Sequence, residues 1–242
     1  FTATLDMPPK VSPLTPCDRI GSTWGLPVCD DVWMGEDMAG GGRRARPAQA
    51  RSQATLERIV DAARHVLVER GVQGFNTNVV AERAGVNVGT LYHYFDDKNA
   101  VLQEMYDRDE ARRAAFLASM LPDFITTDDL DGWLRKLVSG LSALRDEQLG
   151  TVMLRRACRV IPELSATHDR AAAAMVPAFA AVLRARCPEL PVKRAEAVAR
   201  TVLEMGSSLL DLMGERPAHA AALRREMRVA IRSYLESVMA TN

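Results

Sequence analysis

Residues 76–98, NTNVVAERAGVNVGTLYHYFDDK, constrain this chain more than any other stretch. Ala81, Gly85 and Leu91 follow one another at offsets of four and six residues, and each has a steric reason to be there. Ala81 is small enough to let a second helix cross close by. Gly85 can adopt the positive φ that ends one helix and turns the chain. Leu91 points back from the second helix to seal the pair, with Val80, Ala84 and Val86 filling the angle between them. The spacing therefore predicts a helix-turn-helix, with helices from about Thr77 to Ala84 and from Val88 to Phe95. Asn87, Val88, Gly89, Thr90, Tyr92, His93 and Tyr94 are left facing outward. None of these is acidic, and small, hydroxyl-bearing and aromatic side chains suit a nucleic-acid groove.

The same run resembles the DNA-binding domain of TetR-family transcriptional regulators, T-T-x-x-I-A-x-x-A-G-V-S-x-G-T-L-Y-x-Y-F-x-x-K. Asn76-Thr77, Val80-Ala81, Ala84-Gly85-Val86-Asn87, Gly89-Thr90-Leu91-Tyr92, Tyr94-Phe95 and Lys98 stand in register with it. With the preceding helix, ATLERIVDAARHVLVERGVQGF, the resemblance covers about residues 51–102. Asn76 and Asn87 replace Thr and Ser, and Asn caps a helix equally well. Asn78 holds an early second-helix position that can face a base, and is expected to read a different edge from its relatives.

The DNA-facing candidates are Thr77, Asn78, Asn87, Val88, Gly89, Thr90, Tyr92, His93, Tyr94 and Lys98. Thr90 can bond a base edge or place its methyl on thymine, and Gly89 permits close backbone approach. Thr77, Tyr92, Tyr94 and Lys98 are the phosphate candidates; Phe95, and in one reading His93, pack against the first helix. Charge agrees with this placement. The chain is neutral overall, but residues 43–98 carry a net +3, against −4 for 1–42 and +1 for 99–242. A positive excess there favours DNA through counterion release. Arg43, Arg44, Arg46 and Arg51 form a basic arm before the first helix, either tracking phosphates or simply solvated.

The remainder reads as helix throughout. Ala, Leu, Val and Arg are plentiful and aromatics are only 5% of the chain, a mix that favours helix over sheet. The first helix is expected over Ser52–Arg70, and a long one from Asp96 or Asp97 to about Met120, closed by Leu121-Pro122. Further helices follow over 128–144, 148–160, 162–186 with a kink near Pro177, 191–213 and 217–239. The expected fold is all-α: a three-helix DNA-binding domain (43–98) joined by a long helix to a helical ligand-binding and dimerisation domain (99–242). Residues 1–42, rich in Gly and Pro and lacking a 3.6-residue period, read as a disordered extension. Part of it is readable as upstream translation, with Met34 and Met38 as alternative starts.

The resemblance implies a homodimer built through the last two helices, and DNA makes the same demand. One recognition helix reads few base pairs, whereas two held about 34–36 Å apart read a palindromic operator. Val198, Val202, Met205, Leu209, Met227, Ile231, Tyr234 and Val238 recur at helical spacing and are the interface candidates; core packing explains such stripes equally well. The resemblance also implies a small-molecule effector that binds the helical domain, shifts the long helix and relieves repression. Met105, Phe116, Trp133, Leu137, Met153, Cys158, Met175 and Phe179, with Arg155 and His168 as polar partners, are candidate pocket residues, each also readable as plain core. Such a lining implies a hydrophobic compound.

Two other functions compete. One is a regulator without a small-molecule effector, controlled by a protein partner or by oxidation of Cys158. The other is a carrier or enzyme on an all-α scaffold. Against the latter, the four histidines are scattered, and no HExxH, P-loop, GxGxxG or Ser/His/Asp order is present. The four cysteines form no C-x-x-C pair, so no metal or cofactor is expected. The longest apolar run, residues 171–183, is too short to span a bilayer, and no secretory signal is evident. The expected location is the cytoplasm, on the nucleoid.

Overall fold

The structure, a computed structural model, describes residues 45–240, without the side chains of 45–49, 163, 167, 168, 171 and 172. The expected disorder and alternative starts in 1–42, and Arg43 and Arg44 of the basic arm, lie outside the described residues, as does the side chain of His168.

Helix α1 spans Ala45–Gly74, α2 Thr77–Ala84, α3 Val88–Tyr94 and α4 Lys98–Thr126. Three of these start on the same device, a short polar side chain accepting a backbone N–H three residues on. Asn76 Oδ1 accepts from Val79 N at 3.0 Å, Asn87 Oδ1 from Thr90 N at 2.6 Å, and Asp97 Oδ1 from Ala100 N at 2.8 Å. Gly85, at φ 64°, ends α2 in the left-handed conformation, and Val86 N closes the turn onto Ala81 O at 3.0 Å.

Helix α1 departs from expectation at its start. It begins at Ala45, so Arg46 and Arg51 belong to the helix and not to a free arm. Pro47 does not prevent this, because a first-turn residue has no intrahelical partner for the N–H that proline lacks. The helical geometry breaks at Gly71, φ 65° and ψ −179°, one residue after the expected end.

Helix α4 also outruns its expected stop. Pro122 lies inside it, and the helix continues to a Thr127 cap. The extra turn buries Phe124, whose ring lies 4.9 Å from Trp133 and 5.8 Å from Phe179, centroid to centroid. Aromatic packing of that kind offsets one missing backbone hydrogen bond. At 29 residues α4 is about 43 Å long, enough to run from the helix-turn-helix through the rest of the chain.

The remaining helices are α5 Leu130–Asp146, α6 Thr151–Val160, α7 Pro162–Arg186, α8 Val192–Glu215 and α9 Ala220–Ala240, the last preceded by a 3-10 turn at Pro217–His219. No strand occurs among the described residues. One core gathers Ile59, Ala63, Leu67, Phe75, Val80, Ala81, Leu91 and Phe95 with Val101, Leu102, Met105 and Tyr106 of α4. Leu154 and Cys158 of α6 and Leu164 of α7 belong to it too, so apolar packing runs without a break from α1–α3 into the helices beyond residue 98.

Five of the expected interface residues prove to be covered by their own chain. Val198, Val202, Met227, Ile231 and Val238 are buried inside the single copy, while Met205, Leu209 and Tyr234 are partly covered. A stripe at helical spacing shows that a face is buried but not which surface covers it, and here it is α5, α7 and the other of the two final helices.

Candidate nucleic-acid interface and internal cavity

On the α2–α3 unit, Asn78, Asn87, Val88, Gly89, Tyr92 and His93 are exposed, Val88 at 38% and Tyr92 at 49%. Thr90 is partly covered, and its N–H is occupied by the Asn87 cap. Thr77 is 8% exposed, and its hydroxyl bonds the Tyr92 hydroxyl at 3.1 Å, so it acts here as a brace between α2 and α3. The Tyr94 hydroxyl is similarly engaged by Ser52 of α1, 2.9 Å from its Oγ and 3.3 Å from its carbonyl oxygen. His93 does not pack on the first helix: it is exposed, with its ring edge-on to Tyr94 at 5.4 Å. Phe95 is buried in the core, and Lys98 is exposed on the first turn of α4, directly after the Asp97 cap.

A cavity of about 110 Å³ lies within the helical part, walled by α4, α5, α8 and α9, with Thr151 and Arg155 from α6 and Met175 and Phe179 from α7. Of the residues expected there, Trp133, Leu137, Arg155, Met175 and Phe179 line it. Four others lie elsewhere. Met105 and Cys158 are buried in the core beneath the helix-turn-helix, Met153 is 43% exposed, and the Phe116 ring fills the space that a Cβ on Gly140 would need. Burial pushes the Cys158 thiol up to about 12, with Asp107, Glu110 and Asp109 adding to it and Arg155 opposing; a thiol so placed is inert at neutral pH.

Arg155 is held by acidic partners that were not legible in the sequence. Its Nε donates to Asp211 Oδ1 at 2.7 Å, its Nη2 to Ser207 Oγ at 2.8 Å, and its Nη1 to Glu110. Arg113 also binds Glu110, and Arg159 pairs with the other Asp211 oxygen at 2.8 Å. Burial works to raise the Glu110 carboxyl, but the Arg113 and Arg155 guanidiniums outweigh it and hold it below the usual range. On the residue before Glu110, Asp109 binds Arg64 of α1 at 2.5 Å and accepts from Thr151 Oγ1 at 3.0 Å. The signal for these partners was faint: the acids at 109 and 110 sit among other charged residues, and nothing local to them or to the acid at 211 singles out a distant partner.

Gly206 faces the cavity from the middle of α8, and a Cβ there would meet nothing within 4 Å. Gly206→Ala is therefore expected to stabilise the protein by about 1 kcal/mol, raising Tm by about 2–4 °C in a scanning calorimeter. A fall in Tm would mean that the space beside this glycine is already used.

Residues 59–105 match the family described as bacterial regulatory proteins of the tetR family, and residues 129–235 match the tetracyclin repressor-like C-terminal domain. An uncharacterized HTH-type transcriptional regulator of Mycobacterium tuberculosis is 26% identical over 181 residues, 75% of this chain and 87% of the relative. Among solved structures, a TetR-family transcriptional regulator from Mesorhizobium loti aligns over 77% of this chain and 98% of its own, with a TM-score of 0.59 and 19% identity. A complex of SmeT with triclosan aligns over 76% and 91%, with a TM-score of 0.59 and 20% identity. At such identities the structural matches speak for the fold alone. The two domain matches speak for descent: together they span the helix-turn-helix and the helical region beyond it, and this chain belongs to the TetR family of DNA-binding, helix-turn-helix regulators of transcription.

Proposed function

We propose that the protein is a homodimeric repressor that inserts α3 of each copy into one half of a palindromic operator and releases it when a small effector enters the cavity. Residues 43–98 serve as the DNA-binding part and 99–242 as the effector-binding and dimerising part. The observation that carries this reading is the position of α4. Its first turn follows the recognition helix, while Leu117 and Leu121 further along form part of the cavity wall. Between them, the Asp109–Arg64 pair ties the same helix to α1. A ligand that moves α4 thus moves the platform on which α3 sits, and repression is relieved by its preference for the moved state.

The complex of the SmeT neighbour with triclosan supports a small-molecule ligand within this fold. For dimerisation, the face that remains open carries Ala197, Thr201 and Ser208 of α8 and Ala222, Val229, Ala230 and Ser233 of α9, small side chains that allow helices to approach closely. Base contacts fall to Asn78, Val88, Gly89, Thr90 and Tyr92, and phosphate contacts to Lys98. No helix among the described residues is long and apolar enough to cross a membrane, and an operator-binding protein works in the cytoplasm on the nucleoid. Control by oxidation of Cys158 is disfavoured by its burial.

Selection of bound duplexes from a random pool tests the reading. Inverted repeats with half-site centres about 34–36 Å apart are expected to be enriched. Equal binding of inverted repeats and scrambled competitor at low ionic strength would overturn it. Within the same assay, Lys98→Ala is expected to weaken binding to all sequences alike and to lower the salt slope by about one. A loss confined to the selected operator would instead place Lys98 on a base.

A further inference from the structure

The cavity is apolar along most of its wall and charged at one end. Trp133, Phe179, Met227 and Ile231 are among the apolar residues; Asp109, Glu110, Asp211, Arg112, Arg113, Arg145 and Arg155 are the charged ones flanked by them. Each carboxylate in that group is already taken, Asp109 by Arg64, Glu110 by Arg113 and Arg155, and Asp211 by Arg155 and Arg159. Arg112 has no ion pair or hydrogen bond among the described residues but is exposed to solvent. Arg145 is different. It lines the cavity from the last turn of α5, partly buried, and makes no ion pair or hydrogen bond among the described residues.

Its place is nonetheless a built one. A Cβ on Gly214 would meet Arg145 Cδ at 3.3 Å and Nη1 at 3.5 Å, so the side chain lies along a gap left by that glycine. Gln148, one turn on and also lining the cavity, has a side-chain amide with no partner among the described residues. Burial pushes the Arg145 pKa down, with Arg155 adding to it and Asp211 and Asp146 opposing, so the guanidinium has lost water without gaining a counter-ion. The negative end of the α5 dipole compensates only weakly.

We infer that the cavity takes an amphipathic anion, with a carboxylate head held by Arg145 and Gln148 and a hydrocarbon tail lying against Trp133, Phe179 and Ile231. A guanidinium without a partner, one turn from a free amide and facing an apolar chamber, matches such a ligand at both ends. A cationic amphiphile finds every carboxylate there already committed. A neutral one leaves the partly buried charge unmatched, which is the costlier arrangement. The inference rests on the reading of this cavity as the effector site and adds the chemical class of the effector.

The test is calorimetric titration of the full chain with octanoate, 1-octanol and octylammonium, equal in tail and different in head. Octanoate is expected to bind at least about tenfold more tightly than either of the others, the scale of one charge-assisted hydrogen bond. Arg145→Gln is expected to bring octanoate and octanol to similar affinities, while Arg145→Lys keeps part of the preference. Octanol or octylammonium binding as tightly as octanoate, no octanoate binding at all, or an octanoate preference that survives Arg145→Gln would each overturn the inference. Octanoate binding with the expected preference but without release of operator DNA would uphold the ligand class and count against the effector reading.

Discussion

Replacing Arg155 with methionine is expected to destabilise the protein by about 3 kcal/mol at neutral pH and to lower Tm by about 6–12 °C. Arg155 is buried, and its guanidinium joins α6 to Glu110 on α4 and to Asp211 and Ser207 on α8. A flexible apolar side chain of comparable length keeps most of the packing and removes the charge, leaving two buried carboxylates short of a partner. The effect belongs at the low end of the range for broken buried pairs because Arg113 stays on Glu110 and Arg159 on Asp211.

Acid supplies the control. Glu110 is held below its ordinary value of 4.5, so its pairing contributes stability above that pH and loses it as the pH falls through the lower folded-state value. The difference between wild type and Arg155→Met measured by urea unfolding is expected to shrink in acid. A difference below about 1 kcal/mol at pH 7 would show that Arg113 and Arg159 suffice.

The second large effect is expected from Leu91→Ala, at about 3 kcal/mol with loss of specific DNA binding. Leu91 is fully buried where α3 crosses α2, in the core shared with Val80 and Ala81. A seven-residue helix has no stability of its own, so α3 keeps its orientation only through such contacts. The Thr77–Tyr92 and Tyr94–Ser52 hydrogen bonds brace it as well, but each is worth only about 1 kcal/mol. Affinity for a selected inverted repeat, measured at a temperature where the variant is still folded, is expected to fall more than tenfold. Unchanged affinity would mean that the hydroxyl braces alone orient the recognition helix.

Legibility in the sequence followed the range of the interactions. The helix-turn-helix was readable because each device closes within a few residues: Asn76, Asn87 and Asp97 cap three residues ahead, and Gly85 turns the chain where only glycine is at ease. The start of α1 was misjudged because Pro47 falls in a first turn, where its missing N–H has no partner to lose, and the end of α4 because a remote gain overrode a local stop signal. At Pro122 the gain is the Phe124 contact with Trp133 and Phe179, residues beyond the helix itself.

The cavity and the final helices show the same division. Met105, Cys158, Trp133 and Phe179 look alike as apolar residues on predicted helices, yet the first two lie under the helix-turn-helix and the last two face the cavity. Arg155 stood out as a charge in an apolar stretch, but Glu110 and Asp211, at separations of 45 and 56 residues, could not be assigned to it beforehand. The periodicity of Val202, Met227 and Ile231 announced burial without naming the covering surface.

The chain's own order of residues thus determined the all-α architecture, the recognition unit and its caps, since these depend on dihedral preference and on neighbours within one or two helical turns. Which charges pair, which apolar faces enclose a cavity and which helix faces stay exposed were decided only in three dimensions. Those outcomes depend on helices distant in the chain competing for the same surface, and periodicity says that a face must be covered while only packing says by what.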